Sequence, residues 1–175
     1  MQNSSPVDRE KIKAKTEKSF QGLKFKEYVN NEYGFMVTYD ADLLNMANDT
    51  QLISPLVIKR RGLKGLPVFA ALVDDIPRGM ALEKSADYLV DFYKKTFDIS
   101  EFKITTQKPI KLSGGLEANY FEIKWKYQSL SLLTVGVFAY KNNKIIGAFA
   151  GSTEKTSVEY LALMVKSLKF IKQAR

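Results

Sequence analysis

The chain has no cysteine and no histidine in 175 residues, and each absence removes a class of chemistry. Without a thiol there is no disulfide and no cysteine nucleophile. Without an imidazole there is no Ser-His-Asp triad, and the usual Cys/His zinc and haem sites are gone as well. Carboxylate, lysine, tyrosine and hydroxyl chemistry remains, or binding with no chemistry at all. The lack of cysteine leaves the compartment open, because cytosolic chains and disulfide-free exported chains both satisfy it. Long apolar runs are missing too. Val68-Phe69-Ala70-Ala71-Leu72-Val73 falls far short of the roughly 20 residues that cross a bilayer. The first residues carry no apolar signal core, so the expectation is a cytosolic chain or an exported one seen without its signal segment.

What is present is charge and a modest core. Lys and Arg number 27 against 19 Asp and Glu, a net charge of +8, and 45% of the residues are apolar. That is material for one domain with one core. From Asp8 to Lys18 eight of eleven side chains are charged, with Ile12 and Ala14 the apolar exceptions. This stretch cannot bury itself, so residues 1–22 read as a charged tail or tether, with Ser5-Pro6 suited to open a solvated helix. Residues 23–175 read as the single domain.

Within it the apolar period is two from Leu23 to Tyr39, interrupted at Asn30-Asn31, which predicts two strands and a turn. Leu52 to Lys59 and Pro67 to Val73 predict a second strand pair. The period then changes. Leu82, Ala86, Leu89, Val90, Tyr93 and Phe97 are spaced by three and four, the mark of one amphipathic helix. Three strands follow. The segment from Phe102 to Leu112 turns at Ser113-Gly114-Gly115. Leu116 to Gln128 sets Phe121, Ile123, Trp125 and Tyr127 on one face, and only the first half of its other face, before Glu122, Lys124 and Lys126, is expected to be covered. Leu132 to Tyr140 is apolar on both faces and therefore central. Asn142-Asn143 predicts a tight hairpin into Lys144 to Ser152, whose Gly147, Ala148, Ala150 and Gly151 would let a helix approach closely. A last helix, capped near Thr153 to Ser157, is expected to run to about Lys172. The fold class that follows is α+β, an antiparallel sheet flanked by helices on both faces.

Several of these residues also carry a resemblance. Tyr28 with Tyr33-Gly34-Phe35-x-Val37-x-Tyr39, the helix after them, Gly115-Leu116-Glu117-Ala118-Asn119-Tyr120, the hairpin through Asn142-Asn143 and the closing Ser167-Leu168-Lys169-Phe170 resemble the PsbP-like family. The extrinsic oxygen-evolving protein of photosystem II, a yeast Ran-binding import factor and many bacterial envelope proteins and lipoproteins share that fold. The order of elements matches over roughly residues 23–172. Where the family often places Pro and Trp after the second strand, Asp40 follows Tyr39 here. The resemblance implies an α/β/α sandwich that binds partners, with no catalytic set to carry over. With no lipobox cysteine, the chain would be a processed form if it belongs to the envelope branch.

The strongest local charge is Lys59-Arg60-Arg61-x-x-Lys64, four cations in six residues, a candidate partner-binding loop for a protein partner or an anionic surface. Asp74-Asp75 with Arg78 reads as a self-neutralising group, since adjacent strand residues point to opposite faces and make no ready metal site. Asp40, Asp42, Asn45 and Asp49 read as turn chemistry. Phe121, Trp125 and Tyr127 alternate as a core face does and are not expected to form a stacking platform. Ser113-Gly114-Gly115 joins two strands and has no helix after it to hold phosphate. No catalytic residue, metal ligand or cofactor is assigned. The functional expectation is a non-enzymatic binding or assembly module of the bacterial cell envelope, periplasmic or envelope-bound. The alternatives are a small-ligand or carboxylate-dependent hydrolytic domain, and a cytoplasmic location. No specific nucleic-acid partner is expected, because the tail's own charge is only +2 and the remaining cations are dispersed.

Overall fold

The segment with apolar side chains on both faces organises everything else. In the computed structural model, which describes residues 23–41, 49–52, 56–59, 67–96 and 99–171, it lies inside a seven-stranded sheet with every side chain from Leu132 to Ala139 buried. In chain order the elements are β1 (Phe25–Asn30), β2 (Phe35–Asp40), β3 (Asp49–Leu52), β4 (Leu56–Lys59), β5 (Pro67–Asp75), a 3-10 turn (Leu82–Lys84) and α1 (Ser85–Thr96). Then come β6 (Ile99–Lys111), a 3-10 turn (Ser113–Gly115), β7 (Glu117–Tyr127), β8 (Leu130–Lys141), β9 (Lys144–Thr153), α2 (Val158–Val165) and β10 (Lys169–Phe170). The large sheet has the order β3-β4-β5-β9-β8-β7-β6, and β1-β2-β10 form a second, smaller sheet. All pairings are antiparallel.

Alternation sorts the core. Leu133, Val135, Val137 and Ala139 of β8 and Ile146, Ala148 and Ala150 of β9 pack with Leu161, Met164 and Val165 of α2 and with Phe35, Val37 and Tyr39 of β2. The intervening residues Leu132, Phe138, Ile145 and Phe149 join Phe121, Ile123, Trp125 and Tyr127 of β7 and Ala86, Leu89, Val90 and Tyr93 of α1. Each large side chain so buried contributes about 1.5–3 kcal/mol. The second cluster is aromatic. Tyr93 stacks on Trp125 at 5.0 Å and meets Phe149 edge-on at 6.0 Å, and the Trp125 indole N–H donates to Thr134 Oγ1 at 3.0 Å.

The hairpin between β8 and β9 turns at Asn142 (φ 49) and Asn143 (φ 61), as the side chains that tolerate positive φ predict. Gly114 and Gly115, at φ 78 and 77, make the β6–β7 turn. Four expectations need correction. The small sheet joins α2 in covering its cluster, so the layer is not helix alone. The Leu52–Lys59 strand is two short strands, β3 and β4, paired with each other so that Leu52 faces Leu56. The last helix starts from Ser157, whose side chain accepts from Tyr160 N–H, not Thr153, and it ends at Val165. It ends there because Thr38 N–H donates to Ser167 Oγ at 2.7 Å and Lys169-Phe170 then pairs with Met36 and Phe35 of β2. Finally, the space over Gly147 is taken by the Phe138 ring of the neighbouring strand and not by a helix, while Ala148 and Ala150 do pack with α2.

Candidate partner-docking face

The even-numbered face of β7 begins covered and ends bare. Ala118 and Tyr120 are buried, Glu122 is half-buried, and Lys124 and Lys126 are exposed. The β6–β7 register fixes what stands beside them: Lys108 opposite Tyr120, Thr106 opposite Glu122, Lys103 opposite Lys124 and Glu101 opposite Lys126. Directly opposed residues share a face. A register shift between Ile104 and Thr106 sets this phase, leaving Thr105 outside the pairing.

Two ion pairs tie part of this corner. Lys126 Nζ lies 2.9 Å from Glu101 and Lys124 Nζ 3.9 Å from Glu154. Exposed pairs of this kind contribute a few tenths of a kcal/mol. Lys103 has no ion pair among the described residues and faces another ammonium. Like charges directly opposite destabilise a sheet by roughly 0.2–1 kcal/mol. A shallow depression of about 170 Å³ between Glu101, Lys103, Lys124, Lys126 and Glu154 reaches down to Trp125. Towards α2, Tyr120 lies under two further ammonium groups, Lys166 at 4.7 Å and Lys108 at 5.7 Å from the ring centre. Its hydroxyl donates to Glu122 Oε1 at 2.8 Å. Burial first, and then that carboxylate, push the Tyr120 phenol well above its ordinary range. Five lysines thus share one face with Glu101, Glu122 and Glu154, a basic surface with a local unpaired excess at Lys103.

Most of the loop expected to bind a partner falls outside the described residues. Lys59 is the last residue of β4, in register with Asp49, and Arg60, Arg61 and Lys64 are not described. Asp42 and Asn45 are also outside. Asp40 is buried and accepts from Tyr160 Oη at 2.7 Å, which makes it a packing polar group and not a turn residue. Asp74 and Asp75 do not neutralise through Arg78: Tyr88 Oη donates to Asp74 at 2.5 Å, and Lys144, directly across from Asp75, donates to it at 2.6 Å. Asp75 holds the Lys144 ammonium above its usual range. Phe121, Trp125 and Tyr127 are core, as their alternation predicts. Lys124 and Lys126 were legible as the uncovered half of a strand. Lys103 was not, because its phase depends on an irregularity in pairing with a strand some twenty residues away. Among the described residues no group of three or more acidic side chains could hold a metal ion, and no helix is long and apolar enough to cross a membrane.

This arrangement of a large antiparallel sheet, a small sheet and two helices defines a mixed α/β protein with a PsbP-like fold. Among solved structures, cyanobacterial PsbP from Synechocystis sp. PCC 6803 superposes with a TM-score of 0.59 at 12% identity, over 85% of this chain and 93% of that one. A protein of unknown function from Pseudomonas aeruginosa aligns over 78% of this chain and 73% of its own at 10% identity, with a TM-score of 0.40. No protein-family model and no curated protein matches the sequence.

Proposed function

We propose that the chain is a non-enzymatic binding or assembly module of the bacterial cell envelope, an α/β/α sandwich whose middle layer is the large sheet and whose bare β6–β7 corner docks an acidic face of a protein partner. The observation that carries this is Lys103 standing opposite Lys124 on an uncovered sheet face. Folding alone gains nothing from that pair, whereas an acidic partner would turn a repulsion into two attractions and steer encounter over a longer range. The PsbP-like fold supports a binding role, because the resemblance that predicted it implies partner binding with no shared catalytic set. The envelope assignment rests on the same resemblance. Fractionation of the natural gene product, expressed from its full upstream reading frame, tests the placement. Recovery with the envelope or periplasmic fraction is the expected result, and recovery in the cytosol alone overturns it.

A further inference from the structure

A second feature lies on the α1 side of the sheet, where the end of the β6–β7 hairpin meets the turn before α1. A groove of about 450 Å³ is lined by Leu82, Glu83, Pro109, Ile110, Lys111, Glu117, Ala118 and Asn119, a volume within the range of small-molecule sites. Asn119 is 1% exposed. Its amide NH2 is spent on Ser85 Oγ at 3.0 Å and Glu83 O at 3.3 Å. Those two acceptors fix which way the amide points, because a flipped oxygen would face the Glu83 carbonyl. The Asn119 Oδ1 left over is buried and accepts no hydrogen bond. A buried acceptor without a donor is costly and uncommon in folded proteins. The rim repeats the bias. Glu83 and Glu117 are both exposed, and among the described residues neither has a salt bridge, although Lys111 stands directly opposite Glu117. The groove therefore offers apolar walls, two free carboxylates and an orphan acceptor, with Lys111 as its one cationic side chain.

We propose that this groove binds an organic ammonium group, with its alkyl stem against Leu82 and Pro109, its charge balanced by Glu83 and Glu117, and an N–H donated to Asn119 Oδ1. The same chemistry is presented by a free alkyl diamine and by the lysine side chain of a peptide. The site is independent of the docking corner and stands or falls separately. Amide and Asn119 side-chain NMR shifts of the whole chain are followed while n-butylamine, 1,5-diaminopentane, N-acetyl-Gly-Lys-Gly-amide or n-butanol is added. Saturable shifts centred on Leu82, Ile110 and Asn119 with an amine, and none with butanol, are expected. The stronger of the diamine and the peptide identifies the natural source. Replacing the two exposed carboxylates together, Glu83→Gln with Glu117→Gln, should weaken amine binding about fivefold, the effect of two exposed charge pairs, without disturbing the fold. Equal response to butanol, unchanged affinity in the double variant, or no shift at Asn119 because a bound water already serves Oδ1 would each overturn the proposal.

Discussion

Replacing Gly147 by Ala sets two effects of opposite sign against each other. In a strand interior, Ala is favoured over Gly by roughly 0.5–1 kcal/mol because the unfolded chain loses less freedom on folding. At this position, however, a Cβ would lie 2.2 and 2.3 Å from Phe138 ring carbons and 2.9 Å from the carbonyl oxygen of Val137. Phe138 is directly opposite Gly147, fully buried, and stacked on Phe121 at 5.4 Å, so its ring has no free space to enter. The Val137 oxygen belongs to the sheet backbone and cannot rotate away. Overpacking of this kind costs about 1–3 kcal/mol, and contacts this short belong to the upper half of that range, so after the Ala preference is subtracted Gly147→Ala is expected to be net destabilising by about 1–2.5 kcal/mol, lowering Tm by roughly 2–10 °C for a chain of this size. Urea denaturation followed by fluorescence of Trp125, the single tryptophan, reads the loss, since that indole lies in the same cluster. Trimming the ring as well, Phe138→Leu with Gly147→Ala, should cost less than the sum of the two single changes, because the leucine leaves room for the new methyl. A neutral or stabilising Gly147→Ala, or strict additivity in the double variant, would refute the argument that the phenylalanine fills the space above the glycine.

Lys141 Nζ donates to the carbonyls of Gly34 at 2.8 Å and Tyr33 at 3.2 Å and lies 4.8 Å from the Phe170 ring centre; Lys141→Met should therefore cost about 1–2 kcal/mol and speed hydrogen exchange at Phe35 and Met36, and unchanged exchange there would contradict the contact. Burial raises the phenols of Tyr39, Tyr88, Tyr93, Tyr120 and Tyr140. The folded chain keeps these protons where the unfolded chain releases them, so this stability is complete below the ordinary phenol pKa of about 10 and falls as pH rises above it. Urea midpoints at pH 8 and pH 10.5, with phenolate absorbance, check the trend, and a flat profile would contradict it.

What was legible in the sequence was local. The Asn142-Asn143 turn is decided by two residues' own backbone preferences, and the two-sided apolar pattern of β8 states directly that both of its faces are covered. The α1 helix shows in its spacing. The end of α2 does not: Leu168 and Ile171 continue a helical period, yet the chain leaves the helix because Ser167 and Lys169-Phe170 find partners on β2, about 130 residues earlier. The same limit applies to the docking corner. Lys124 and Lys126 mark a bare half-face within one strand, but that Lys103 stands opposite Lys124 depends on the register shift between Ile104 and Thr106. The Lys59–Lys64 cluster is visible as charge density alone. For Asn119, sequence shows a polar residue on an apolar strand face, and only the positions of Glu83 and Ser85 show that half of its amide is left without a partner.

The docking claim meets its most direct test in salt elution of the natural product from isolated envelope fractions. The wild-type chain should stay bound at low salt and leave progressively as ionic strength rises, because exposed charge contacts are screened over about a Debye length. The charge-reversed pair Lys103→Glu with Lys124→Glu should elute already at low salt while unfolding at an unchanged or slightly lower urea concentration, since the two glutamates still oppose each other, the Lys124–Glu154 pair is lost, and exposed charges of this kind contribute only a few tenths of a kcal/mol. Elution of both chains at the same salt concentration would contradict the assignment of the β6–β7 corner as the docking face.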